Sequence, residues 1–217
     1  MDIKYLGHAA FLLKSKDGAR LITDPFDQKI GLRFPKSEAD IVTVSHKHDD
    51  HNKTAQIGGG PLVIDMPGEY ERKAIKVTGY LSYHDKKKGV ERGENILYKI
   101  ETDGISVLHC GDLGLVLDDV FVDQIGDVDV LLVPTGGFYT INSDEAVELV
   151  KRIEPSVIIP MHYHQPKLDP AIFGKLEEVE EFIKKMNFSV SRNVQKLTVK
   201  REELGEEMKV VVMDISN

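Results

Sequence analysis

The sequence contains very little cysteine. Its 217 residues include one, Cys110, so no disulfide can form within the chain, which fits a reducing compartment. No apolar run approaches the roughly 20 residues of a membrane-spanning helix. Residues 1–5 lead into a strand pattern rather than an apolar signal core. We therefore expect a cytoplasmic protein with no membrane partner, in which Cys110 is a packing residue.

The chain also lacks an excess of basic residues. Lys and Arg together number 28 against 36 Asp and Glu, which gives a net charge of -8. Affinity for phosphate backbones depends largely on clustered Lys and Arg, so no nucleic-acid partner is expected. No repeat, linker or low-complexity tract divides the sequence, and we predict a single domain over residues 1–217 that acts on a small molecule. A homo-oligomer is left open.

A dense group of metal-ligand side chains follows an apolar run. Residues 41–44 predict a buried strand, and His46, His48 and Asp50 would share one side of the chain if the extended conformation continued. His51 joins them only if the chain turns, and residues 50–52 are typical of a helix start. The alternative is a loop of surface polar residues. It is disfavoured because three of the eight histidines and an aspartate fall so close together.

The ligand types in this group indicate which metal it would hold. Imidazole and carboxylate together favour a first-row transition metal. Four ligands crowded this closely can serve two metals, one bound by His46 and His48 and the other by Asp50 and His51. The sequence therefore predicts a metal centre at the end of a buried strand.

Further segments, in order along the chain, resemble the motifs of the metallo-β-lactamase superfamily. The H-x-H-x-D-H motif is matched by residues 46–51, and residues 5–13 resemble a small stand-alone branch of "metal-dependent hydrolases" that includes ascorbate-phosphate lactonase. The other matching segments are Leu-Ile-Thr-Asp-Pro at 21–25, His84 after the run 77–83, Asp112 in His-Cys-Gly-Asp at 109–112, and His162 in Ile-Pro-Met-His-Tyr at 159–163.

The resemblance implies a fold and a metal centre. The fold is an α/β (α+β) four-layer αββα sandwich, two sheets face to face with helices outside, whereas periodicity alone supports only α/β with antiparallel parts. Two divalent metal ions are expected, with zinc preferred and manganese as the alternative; the diiron members of the superfamily generally carry Glu where this chain has His48. The resemblance assigns His46, His48 and His84 to one metal, Asp50, His51 and His162 to the other, and Asp112 to a bridge between them.

The resemblance also implies an enzyme, a metal-dependent hydrolase. The hypothesis is that a hydroxide shared by the two metals attacks a carbonyl or phosphoryl centre of a lactone, ester, thioester or phosphodiester, with Asp50 orienting it. The leaving group would be protonated by His109, Tyr163, His164 or water; alternatively, His109 is a hydrogen-bonded core histidine. The second functional hypothesis is a non-hydrolytic metal-binding redox or sensor protein on the same fold.

Two residues are candidates for supporting the metal ligands. Asp24 closes a predicted strand, and the resemblance makes it a buried carboxylate that orients the 46–51 loop; local chemistry equally allows an Asx-turn before proline. His8 lies in a predicted turn and would either stand behind the metals or be an ordinary turn or core histidine.

Substrate-binding candidates lie on predicted loops. A glutamate in the predicted turn 67–70 and cations in or after the charged run 85–89 would face the mouth of the site, the cations selecting an anionic substrate. The alternatives are an exposed turn residue and a solvated hairpin tip. The candidates are Glu69, Lys87, Arg92, Tyr163 and His164.

Overall fold

The computed structural model describes residues 1–205 and 207–216, which form two mixed β-sheets packed face to face. The strands of the smaller sheet are β1 (Asp2–Gly7), β2 (Ala10–Lys14), β3 (Arg20–Thr23), β4 (Ile41–Thr43), β5 (Leu62–Ile64) and β13 (Leu197–Thr198). Their order across the sheet is β13-β1-β2-β3-β4-β5. β1, β2 and β3 pair antiparallel, and β3, β4 and β5 pair parallel.

The larger sheet holds the remaining strands. They are β6 (Gly68–Arg72), β7 (Ile75–Tyr83), β8 (Glu94–Thr102), β9 (Ile105–His109), β10 (Val130–Pro134), β11 (Val157–Met161), β12 (Ser189–Val194) and β14 (Lys209–Met213). Their order is β12-β14-β11-β10-β9-β8-β7-β6. β10 and β11 are buried along their whole length, as expected for strands covered on both faces.

Alternating side chains of the smaller sheet divide between two apolar clusters. Leu21 and Ile41 point into the main core, which they share with the larger sheet, while their neighbours Ile22 and Val42 point into a second cluster on the outer face. This is the period of two that a strand imposes on its side chains. The smaller sheet therefore buries both of its faces.

Helices cover the outer faces unequally. The larger sheet carries α1 (Asp119–Ile125), α2 (Ser143–Ile153) and α4 (Val179–Lys185), and α2 begins with a capping box between Asn142 and Glu145. The smaller sheet is covered by loop segments, short 3₁₀ turns and the four-residue α3 (Pro170–Phe173). The predicted αββα sandwich is confirmed, with a slight outer layer over the smaller sheet.

Several predicted elements differ from the structure. Gly68–Arg72, within which a turn was expected, is the edge strand β6; its mostly exposed side chains give it no apolar pattern. Residues 50–52 form a turn and not a helix start, with the His51 amide donating to the His48 carbonyl at 2.9 Å. The polar and apolar spacing over residues 175–186 also predicts a helix, but α4 begins only at Val179, because the Glu177 amide bonds to the Gly136 carbonyl.

The structure bears on two expectations from composition, the packing role of Cys110 and the absence of a membrane-spanning helix. Cys110 is fully buried, and burial raises the pKa of its thiol, which agrees with its interpretation as a packing residue. In the described part of the chain, none of the helices has the length and apolarity needed to cross a bilayer.

Tyr98 joins the two sheets beneath the segment that carries the histidine motif. Its side chain lies in β8 of the larger sheet and is fully buried. Its hydroxyl lies 2.9 Å from the Val44 carbonyl and 3.0 Å from the Ile64 carbonyl, at the ends of β4 and β5. A single buried hydroxyl thus holds the end of β4 against the opposite sheet.

We predict that Tyr98→Phe lowers the free energy of unfolding by about 1–2 kcal/mol, because it removes one buried hydrogen bond without opening a cavity. Denaturant unfolding of chelator-treated protein measures the change. The control is Tyr70→Phe, which removes an exposed hydroxyl that bonds within its own loop and is expected to change stability by less than about 0.5 kcal/mol. Equal effects of the two substitutions would contradict the prediction.

Candidate metal centre

The strand directions bring four ligand-bearing segments to one edge of the sandwich. β7 and β9 are both antiparallel to β8 and therefore run in the same direction, and β9, β10 and β11 are parallel. His84 follows β7, Asp112 follows β9 and His162 follows β11, so all three lie at the same edge of the larger sheet. Residues 45–51, after β4, supply the remaining side chains from the smaller sheet.

The carboxylate of Asp112 lies at the centre of the cluster and is 2 % exposed. Four imidazole Nε2 atoms surround it, from both sheets. Their distances to its nearer oxygen are 3.1 Å for His162, 3.2 Å for His51, 3.3 Å for His84 and 3.9 Å for His46. A carboxylate in this position could contact a metal ion held by the surrounding imidazoles.

The ligand atoms fall into three overlapping groups, each with its atoms within 4.8 Å of one another. The first group is His46, His48 and His84; the second is His8, Asp50, His51 and His162; the third is His46, His51 and Asp112. The first two coincide with the two ligand sets that the resemblance implies, except that His8 joins the second. Asp112 lies between them.

Asp24 lies behind the histidines and fixes the orientation of two of them. Its fully buried carboxylate accepts hydrogen bonds from the Ser45 amide at 2.7 Å, the Ser45 hydroxyl at 2.6 Å and His51 Nδ1 at 2.8 Å. The Ser45 hydroxyl is 2.9 Å from His46 Nδ1, which donates to it. Because both Nδ1 atoms carry the proton, both Nε2 atoms are left with lone pairs directed at the centre.

His8 contacts the cluster from the turn between β1 and β2. Its Nε2 is 3.0 Å from Asp50 Oδ2, and its carbonyl accepts the His162 amide at 2.9 Å. His8, Asp24 and His162 all have left-handed φ angles, of 56°, 39° and 52°, a strained conformation for residues other than glycine. The surrounding hydrogen bonds hold these three residues in place.

Two glycines allow the ligand loops to approach each other. A Cβ atom on Gly114 would lie 2.3 Å from the His84 carbonyl carbon, and one on Gly136 would lie 2.0 Å from the His162 carbonyl oxygen. Neither contact is possible for a side chain. These positions require glycine because ligand-bearing backbone passes directly against them.

The electrostatics of the cluster favour positive charge. Burial by itself lowers the pKa of His51, but the nearby carboxylates, Asp112 first, outweigh it and hold that pKa well above its ordinary value. Burial raises the pKa of Asp112, and His162 and His51 outweigh it, so this carboxyl remains ionised. Burial lowers the pKa of His46 to about 3, which keeps its imidazole neutral.

These residues fit divalent metal ions. His51 Nε2 and Asp112 Oδ1 lie 3.2 Å apart, yet both atoms are buried and neither has a hydrogen-bond partner among the described residues. Buried polar atoms are normally paired. A cation bound between the imidazole nitrogens and the ionised carboxylates would satisfy both kinds of atom, and mixed N and O donors suit zinc or another first-row ion.

A cavity of about 280 Å³ opens directly over the cluster. The side chains of Asp112 and the more exposed ligands form its floor, and Arg92, Tyr139 and Phe173 stand around it. Its lining residues are His48, Asp50, His84, Glu91, Arg92, Asp112, Tyr139, Ile172 and Phe173. Among the candidates for substrate binding, Arg92 therefore reaches the site.

The structure places the other four candidates elsewhere. Glu69 is an exposed residue of the edge strand β6, paired with Thr78, and Lys87 pairs with Glu91 at 2.6 Å on the surface. Tyr163 is buried, and burial raises the pKa of its hydroxyl. His164 Nδ1 lies 2.7 Å from a carboxylate oxygen of Glu178. The side chains of these four residues are not among those that line the cavity over the cluster.

His109 requires a correction. It is fully buried, its Nε2 donates to the Ala9 carbonyl at 2.8 Å, and burial lowers its pKa. Its ring packs edge-on against Phe11 between the sheets. A histidine held in the core below the metal ligands cannot protonate a leaving group in the cavity, so the alternative, a hydrogen-bonded core histidine, describes it.

Sequence reasoning missed Asp85, the residue after the ligand His84. It was read as part of a solvated charged run, but it is 3 % exposed. Its carboxylate accepts four backbone amides from the following loop, at 2.7 to 3.1 Å. A clue was available, because an aspartate followed by a glycine-containing polar segment is typical of a loop closed by its own side chain.

The fold and the cluster define a metallo-β-lactamase-like protein. A family model described as the beta-lactamase superfamily domain matches residues 2–162, and the chain belongs to this family. A curated metal-dependent hydrolase from Methanopyrus kandleri is 29% identical, with 99% of this chain and 97% of that protein covered. These findings confirm the predicted superfamily and its branch of metal-dependent hydrolases.

Solved structures of similar fold agree with this family assignment. A candidate Zn-dependent hydrolase of the metallo-beta-lactamase superfamily from Thermotoga maritima is 40% identical, with a TM-score of 0.81 and coverage of 98% of this chain and 97% of that one. A metallo hydrolase from Ignicoccus hospitalis shares the fold at 23% identity, with a TM-score of 0.70 and coverage of 100% and 96%. The expected class of enzyme agrees with the names of these relatives.

We predict that Asp24→Asn weakens metal binding about 10- to 100-fold, because an amide cannot accept every hydrogen bond that orients Ser45 and His51. Competition with a chromophoric chelator measures the affinity. The matched control is Asp49→Asn, which removes the same charge from an exposed side chain in the same loop. Comparable losses in both variants would show that net charge, and not orientation of the imidazoles, sets the affinity.

Proposed function

We propose that this protein is a dinuclear metal-dependent hydrolase of a small substrate. The observation that carries the proposal is the buried Asp112 carboxylate, with four imidazole Nε2 atoms within 3.9 Å, beneath a cavity large enough for a small molecule. His46, His48 and His84 would hold one ion, and Asp50, His51 and His162 the other, with Asp112 between them. Zinc is the first expectation, and manganese is the alternative.

The bound metals would supply Lewis acidity and a hydroxide nucleophile at neutral pH. The chain's own contribution is to position the reacting groups. Asp50 lies at the floor of the cavity and accepts a hydrogen bond from His8, so its carboxylate is placed where it would orient the nucleophile. The carbonyl or phosphoryl centre of the substrate would lie above Asp112, between the two ligand groups.

Protonation of the leaving group is assigned to water. His109 is enclosed in the core, and Tyr163 and His164 are engaged away from the cavity. The cavity is open to solvent beside Asp50, so water would have access to the leaving group. This chemistry suits a lactone, ester, thioester or phosphodiester.

We predict that protein purified without added metal contains about two zinc or manganese ions per chain and that chelation abolishes hydrolysis. Elemental analysis and a panel of lactones, thioesters and bis(p-nitrophenyl) phosphate test both points.

Asp112→Asn should lose metal and activity together. Asp50→Asn should lower turnover at least about 100-fold while the ion held by the three histidines is retained, because a carboxylate that orients the nucleophile is lost.

Asp49→Asn is the control for these variants because Asp49 is exposed and lies in the same loop. Unchanged turnover in Asp50→Asn would overturn the role given to that carboxylate. Bound iron with oxygen consumption and no hydrolysis would instead favour a redox or sensor protein on the same fold.

A further inference from the structure

The loop that follows His84 is built around one buried carboxylate. Asp85 accepts the backbone amides of Lys87, Gly89, Glu91 and Arg92. The loop closes on itself where the Gly93 amide donates to the Gly89 carbonyl at 2.9 Å, and the Gly93 carbonyl accepts the His84 amide at 3.0 Å. The backbone of Arg92 is therefore fixed relative to a metal ligand.

Arg92 projects from this loop between two cavities. It lines the 280 Å³ cavity over the cluster and a second cavity of about 390 Å³ that reaches His46 and His48 from the other side. Its guanidinium carbon lies 5.6 Å from the centre of the Tyr139 ring, within the range of a cation–π contact. This contact holds the side chain across the mouth of the site.

The charge of Arg92 is not neutralised by the protein. Within residues 1–205 and 207–216 the structure gives it no carboxylate oxygen at 4.0 Å or less, although Glu91 is its neighbour in the chain. Glu91 is instead paired with Lys87 at 2.6 Å. Lys87 thus occupies the nearby carboxylate and leaves the Arg92 guanidinium available to an anion.

Part of the cavity wall is apolar. Tyr139, Ile172 and Phe173 line it, and Ile172 is 47% exposed. A ligand in this space would meet the candidate metal ligands, the Arg92 guanidinium and this apolar surface. Each of these surfaces selects a different chemical group.

We propose that Arg92 is the specificity-determining residue of this site and binds a second anionic group, carboxylate or phosphate, of a substrate whose apolar part packs on the Tyr139 wall. The proposal rests on the hydrolase function proposed above. The guanidinium forms charge-assisted, bidentate hydrogen bonds with the anion. The scissile bond lies over Asp112, and the anionic group lies beside it at the mouth.

The kinetic test compares two esters of similar size, mono-p-nitrophenyl glutarate and p-nitrophenyl pentanoate, on the metal-loaded protein. Arg92→Met should raise KM for the anionic ester about 10- to 100-fold with little change in kcat, because uniform binding is lost. The neutral ester should be affected less than about threefold. A constant ratio of kcat/KM between the two esters in wild type and variant would overturn the proposal.

The control is Lys88→Asn, which removes one positive charge from the same loop. Lys88 is exposed and has a φ of 57°, which asparagine tolerates. It should leave the discrimination between the esters unchanged. An equal loss of discrimination in this variant would show that general loop charge, and not Arg92, attracts the anion.

A binding measurement separates this proposal from the hydrolase function. Side-chain Nε–Hε NMR signals of the zinc-loaded protein are followed while glutarate or phenyl phosphate is added, and the ligand that shifts the Arg92 signal at the lower concentration identifies the anionic group. A shift of Arg92 without hydrolysis of any ester would support the anion site and count against the proposed reaction. No shift with either ligand would overturn the anion site, whatever the turnover.

Discussion

The buried carboxylate of Asp112, surrounded by imidazoles from both sheets, determines how the ligand-bearing segments are arranged. An ionised carboxylate with an unpartnered oxygen is costly to bury unless a cation compensates it. Its position requires strand ends from both sheets to meet at one edge, which the directions of β4, β7, β9 and β11 achieve. It also requires the ligand loops to pass closely, which Gly114 and Gly136 permit. Tyr98 then links the sheets just below this edge.

Two further carboxylates organise the segments around this centre, and they do so differently. Asp24 lies in the smaller sheet and bonds to Ser45 and His51, so it sets which imidazole nitrogen carries a proton. Asp85 bonds to four backbone amides and shapes the loop that carries Arg92. The first therefore acts on the metal ligands and the second on the wall of the cavity. Both carboxylates accept hydrogen bonds from backbone amides, one in the case of Asp24 and four in the case of Asp85.

Local patterns in the sequence predict the parts of the site that depend on neighbouring residues. The motif at 46–51 and the strands before it place four ligands without tertiary information, and the resemblance adds His84, Asp112 and His162. For residues whose roles depend on contacts across the fold, the sequence leaves alternatives open. His109 ends β9 next to the ligand segment, and only the structure shows its ring turned into the core to bond with Ala9, 100 positions away in the sequence. β6 was missed because an exposed edge strand carries no apolar alternation.

The arrangement separates the reaction from the choice of substrate. Most of the candidate metal ligands are buried, although His48 is exposed, and all of them lie at strand ends. Asp24 holds the outer nitrogen of His51. Substitutions among these residues are therefore expected to disturb metal binding and chemistry together. Arg92 lies outside this network. Its backbone amide donates to Asp85, and its side chain contacts only the Tyr139 ring at the mouth of the cavity among the contacts described above. Under the proposed function, a change of that side chain would alter which anion is accepted and leave the loop, the adjacent His84 and the metal site in place.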